Sequence, residues 1–159
     1  DLKAKVVLIG ALVSKKLQLN FYDIDKIIEK EMDMKISKIF EIRGENYFRN
    51  IEEKITLKIL KKKQVVISLG GGAFLNENIK NEILKNHLSF WLKLDNKTLI
   101  KRIKFSHKRP IAYKLSNNEI TNLIKIRSNF YSKALYKINC NNLSKFEVMT
   151  KVLNLYETN

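Results

Sequence analysis

The sequence predicts an α/β fold, a parallel sheet covered by helices on both faces. Three observations carry this. Short apolar runs alternate with helix-like stretches from end to end, turn residues fall between them, and no internal repeat or low-complexity linker interrupts the pattern. Five runs read as strands: Lys5–Ile9, Phe21–Asp23, Gln64–Leu69, Leu88–Leu94 and Tyr136–Cys140. The expected architecture is therefore three layers, α/β/α, around a central five-stranded parallel sheet.

The elements follow in order. Lys5–Ile9 ends at Gly10 and reads as a buried strand. Residues 11–17 are helix-like and lead into the second strand. Helices are expected over 26–32, 37–43 and 45–60, with Gly44 as the stop between the last two. Gln64–Leu69 is the clearest strand, punctuated by Gly70, Gly71 and Gly72. A helix over 77–86, a strand, a helix over 98–104 and a polar stretch around Pro110, the one proline, come next. Helices over 119–131 and 144–156 flank the last strand.

The first crossover is too short. A parallel connection takes about 10–12 residues and a helix long enough to span the sheet. Between Ile9 and Phe21 a helix leaves almost nothing for loops. Either the unit is unusually tight, or residues are missing between Gly10 and Ala11.

Bulk properties narrow the function. At 159 residues the chain suits one domain, 1–159. No apolar run approaches the roughly 18–20 residues of a membrane span, and Asp1-Leu2-Lys3-Ala4-Lys5 carries no signal-peptide pattern. A single cysteine, Cys140, excludes an internal disulfide framework, so a cytoplasmic location is expected. The net charge of +15 admits an anionic partner. Lysine, asparagine and isoleucine share A/T-rich codons, however, and codon bias accounts for scattered surface lysines. No nucleic-acid motif or aromatic–basic pattern appears.

Placement selects the informative residues. Asp23 and Asp25 stand at the carboxyl end of a short strand, where ligands of open α/β sheets sit. An acid there holds hydrated Mg²⁺ or accepts a proton from a hydroxyl, unless Asp25 merely caps the following helix. Arg49 and Glu52 lie three apart on a helix. They form either a surface ion pair or a guanidinium fork oriented for a carboxylate. Three consecutive glycines after a buried strand allow unusual dihedrals and close ligand approach. The chain has five arginines, so Arg102, Arg109 and Arg127 weigh more than any lysine run, whereas Arg43 reads as surface charge. His87, His107 and Cys140 lack metal-ligand spacing.

Taken together, the runs Phe21–Asp25, Gly44–Glu52, Ser68–Ala73, Arg109-Pro110 and Arg127 with Tyr131 resemble the shikimate kinase family, a branch of the P-loop nucleoside monophosphate kinase fold. The resemblance covers nearly the whole chain. It implies ATP-dependent phosphorylation of shikimate, on the way to the aromatic amino acids, with ATP and Mg²⁺ required. Neither a nucleic-acid nor a membrane partner is implied, and a monomer is expected. Asp25 would bind the reacting hydroxyl and accept its proton. Asp23 would hold Mg²⁺ through water. Arg49 and Arg127 would grip the shikimate carboxylate, beside Gly70, Gly71 and Gly72. Arg109 would reach the transferring phosphoryl from a mobile lid, about 105–118, and Arg102 would lie against adenine. A substrate-binding helical region would occupy about 26–60. The family's GxxGxGK[ST] loop after the first strand has no counterpart here, so the resemblance implies about ten or more further residues between Gly10 and Ala11, a lysine and a serine or threonine among them. Ile111-Ala112 replaces two leucines. Alternatives are another small-metabolite kinase such as gluconate kinase, which the Arg49 and glycine context disfavours, or a pseudokinase if the loop is truly deleted.

Overall fold

The computed structural model describes residues 2–104 and 115–159. The α/β class holds, and the chain divides into two compact units. One spans Gly10–His87; the other joins Asp1–Ile9 to Leu88–Asn159.

The first element overturns an expectation. Leu2–Leu17 forms one uninterrupted helix, α1, so Lys5–Ile9 is not a strand. Gly10 is followed directly by Ala11 inside that helix. The physical reason is continuity. A five-residue apolar run satisfies strand and helix alike, and with no loop residues after it the backbone extends the helix of residues 11–17. Gly10 stays a glycine for space: a Cβ there would stand 2.7 Å from Phe21 Cε2.

In the Gly10–His87 unit, strand β1 (Asn20–Asp23) leads into α2 (Ile24–Glu31) and α3 (Ile36–Leu60). Strand β2 (Val65–Ser68), a 3₁₀ turn at Ala73–Leu75 and α4 (Glu77–Asn86) complete it. Gly44 breaks α3 internally, with φ 79° and ψ 172°, a left-handed conformation that glycine adopts without a Cβ penalty, as its place between two helical runs implied. Strands β1 and β2 pair in parallel, Asn20 opposite Val65 and Asp23 opposite Ser68. This register brings both carboxyl ends out together, so the acids after β1 and the glycines after β2 share one edge. Beneath them Ile24, Ile28, Ile39, Phe48, Ile55 and Ile59 form the core. Ile24, Ile28 and Ile39 are wholly excluded from solvent, each contributing about 1.5–3 kcal/mol of transfer free energy.

The second unit repeats the logic. Strands β3 (Phe90–Lys93) and β4 (Tyr136–Asn139) pair in parallel, with the Phe90 and Tyr136 rings stacked at 5.3 Å. Helices α5 (Asn96–Lys104), α6 (Asn117–Tyr131) and α7 (Lys145–Glu157) surround them in sequence. Ile103, Ile120 and Ile124 form one apolar cluster. Ser116 with Glu119, and Ser144 with Glu147, close reciprocal capping boxes at α6 and α7. In both boxes the bonds between the serine and the glutamate carboxylate hold that carboxyl below its ordinary value. The described residues thus hold four strands in two parallel pairs rather than five.

Candidate active site

Asp23 ends β1 in an extended conformation, and its Oδ1 accepts the Asp25 N–H at 3.1 Å. Asp23, not Asp25, is therefore the N-cap of α2. Capping leaves Asp25 in the first helical turn, where the partial positive charge of the helix terminus favours a carboxylate. Both side chains are mostly buried, 8% exposed, at the carboxyl edge of the sheet.

Arg49 projects from α3 after the Gly44 break, held by two acids of its own helix. Nη1 donates to Glu52 Oε2 at 2.7 Å, while Nη2 and Nε donate to Glu45 Oε1 at 3.0 and 3.2 Å. Glu52 is only 2% exposed, which removes the surface ion-pair alternative; Glu45 is open to solvent. Partial burial pulls the Arg49 guanidinium down. The hydrogen bonds and charges of Glu52 and then Glu45 outweigh it and hold the group above its ordinary value. Arg49 stays a fixed cation. Glu45 escaped sequence reading, although its i, i+4 spacing to Arg49 was the available signal.

The glycine turn closes on this corner. A Cβ on Gly70 would lie 2.8 Å from Asp25 Oδ1 and 3.1 Å from Glu52 Oε1, and one on Gly72 would overlap the Arg49 guanidinium. Gly72 has φ −106°, and Gly70 also lies outside the left-handed region, so space rather than unusual dihedrals requires glycine at both. Asp25, Glu52, Arg49 and the turn thus converge in one corner. Below it, Glu53 accepts from Asn76 and Asn78, both at 2.7 Å, and pins α4 to α3.

Gly72→Ala tests that packing. The backbone tolerates alanine, so the methyl acts only by pushing the Arg49 fork aside. Affinity for a carboxylate acceptor should fall by about tenfold, one charge-assisted bond, with an unchanged circular dichroism spectrum. Unaltered affinity would separate Arg49 from the turn.

In the second unit, Arg127 lies on α6 with a buried Nε that has no hydrogen-bond partner among the described residues. Tyr131, one turn on, packs against Trp91 at 6.0 Å. Arg102 belongs to α5, but its side chain lies outside the described part, as do Arg109, His107 and the expected lid up to residue 114. Asn117 and Asn118 begin α6. Arg43 is exposed, with its guanidinium over the Tyr47 ring at 5.6 Å. His87 stands 3.6 Å from Glu82, and Cys140 is buried. No cluster of three metal-ligating residues occurs among the described residues. For Mg²⁺, which keeps most of its waters, Asp23 suits an outer, water-mediated role.

Comparison with known proteins agrees with this layout. A family model described as shikimate kinase matches residues 7–157. The shikimate kinase of Bartonella quintana is 38% identical over 146 residues, covering 91% of this chain and 70% of that protein. The crystal structure of shikimate kinase from Aquifex aeolicus superposes with a TM-score of 0.85 at 33% identity, over 94% of this chain and 88% of that one. Shikimate kinase from Acinetobacter baumannii, solved in complex with shikimate, shares the fold at a TM-score of 0.89 and 24% identity, over 98% and 88% of the two chains. Its sequence and its parallel α/β architecture alike place this chain in the shikimate kinase family.

Proposed function

We propose that this protein transfers a phosphoryl group from ATP to a hydroxyl of shikimate, as one kinase domain over 1–159 working as a cytoplasmic monomer. One observation carries the reading: Arg49, fixed between Glu45 and Glu52, shares a glycine-walled corner with Asp25. A planar cation beside a carboxylate base suits an acceptor that carries both a carboxylate and a reactive hydroxyl. Arg49 and Arg127 grip the carboxylate, and Gly71 contributes backbone contacts, with Gly70 and Gly72 shaping the turn. Asp25 orients the hydroxyl and takes its proton. Asp23 would hold Mg²⁺ through water; ATP would supply the phosphoryl group and the metal would neutralise its charge. Arg102 is assigned to adenine, and Arg109 to the phosphates from the lid. No described helix is long and apolar enough to cross a membrane.

A second reading, a chain that binds shikimate without turning it over, is favoured by the uninterrupted α1, which leaves no loop between Gly10 and Ala11. Mass-spectrometric detection of shikimate 3-phosphate, formed from shikimate and MgATP by purified protein, decides between them. Product above the Asp25→Asn background supports the first reading, and its absence at millimolar MgATP supports the second.

A further inference from the structure

We propose that this chain binds its acceptor without help from a nucleotide and holds the ATP triphosphate about a thousandfold more weakly than the same chain would with a phosphate loop. The inference rests on the acceptor reading above. A polyphosphate is ordinarily gripped by consecutive backbone N–H groups in a glycine-rich loop at an open helix N-terminus. Gly10 and Ala11 stand instead in the middle of α1, where N–H groups face the carbonyls of the preceding turn. Gly10 is pressed against Phe21, and the Ser14 hydroxyl donates to Ala11 O at 2.9 Å. In the one serine–lysine step of this segment, the Ser14 hydroxyl is therefore turned to the helix's own backbone, and Lys15 is exposed.

Among the described residues, the starts of α2 to α7 do not take over the task. From α2 to α7 each is occupied by a side chain of the chain itself. Asp23, Asn76, Ser116 and Ser144 cap α2, α4, α6 and α7. Glu29 Oε1 accepts the Ile36 N–H at the head of α3, at 3.2 Å, and Asp95 binds both Thr98 N–H and Oγ1 at α5, at 2.8 Å. Three of these six are carboxylates, which repel a phosphate where a helix dipole would attract it. The glycine turn at 70–72 is no substitute, because Gly70 faces Asp25 and Glu52. Each missing charge-assisted bond counts for about ten- to a hundredfold in affinity, so losing two gives about a thousandfold. The acceptor corner of Asp25, Glu52, Arg49 and the glycine turn uses none of the six capping side chains, so it stays competent alone.

Isothermal titration of the full chain separates the claims. Shikimate alone should bind, while Mg²⁺ with a non-hydrolysable ATP analogue should give no saturation up to several millimolar, with or without shikimate. A variant carrying a GxxGxGKT-containing insertion between Gly10 and Ala11 should gain nucleotide affinity by about a thousandfold, shikimate affinity changing little. Micromolar nucleotide binding to the native chain would overturn the inference and leave the acceptor reading standing. Failure to bind shikimate would overturn both. The native-chain titration decides the matter even if the inserted variant does not fold.

Discussion

Asp25→Asn should lower the rate of shikimate 3-phosphate formation by about 10²–10⁴-fold, the span expected when a positioned general base is lost. The substitution keeps shape and one hydrogen-bonding oxygen beside Gly70, where Asp25 Oδ1 comes within 2.8 Å of a notional Cβ. Shikimate affinity should therefore change by less than about tenfold. The distinguishing feature is where the charge sits. Asp23 caps α2, so the fold of that helix does not depend on Asp25. Initial rates at fixed, high MgATP, with shikimate binding titrated alongside, measure the two effects separately. A normal rate in the variant would reduce Asp25 to a favourable charge in a helix's first turn.

Arg49→Ala should weaken shikimate binding by about ten- to a hundredfold, the worth of one charge-assisted bond, about 1.5–3 kcal/mol. Arg49→Lys should recover only part of it, because an ammonium cannot reproduce a planar fork that meets Glu52, Glu45 and a ligand together. Arg127→Ala should act in the same direction, since its Nε is buried without a partner among the described residues and a ligand would supply one. The two differ in stability. Arg49→Ala removes the guanidinium facing the buried Glu52 and should also lower the denaturation midpoint, whereas Arg127→Ala should not. Titration calorimetry on folded samples reads affinity free of that difference. Unchanged shikimate binding in both variants would remove the carboxylate clamp.

The convergence of Asp25, Arg49 and the glycine turn was largely legible in advance. Asp25 and Arg49 stand out because their neighbours are restrictive: a strand end before one, and a helix with Glu52 one turn on beside the other. Residue types misled in two places. Three glycines suggested unusual dihedrals, yet Gly70 and Gly72 have none and are small because Asp25, Glu52 and Arg49 press on them. Asp25 invited reading as a cap, yet Asp23, two residues earlier, takes that bond. The glycine contacts join segments far apart in the chain, and no local period reports them.

By itself, the sequence determined the α/β alternation, the break at Gly44 and membership of a family. Each depends on local periodicity, on single-residue backbone preference, or on motif order. Only the tertiary structure decided three matters. Lys5–Ile9 became helix because nothing separates it from residues 11–17, and a strand without a turn has no means of returning to a parallel partner. Glu52 became a buried anchor rather than a surface charge because the glycine turn closes over it. The acids and the glycines met because β1 and β2 pair with Asp23 opposite Ser68, a register set by which side chains reach the core beneath.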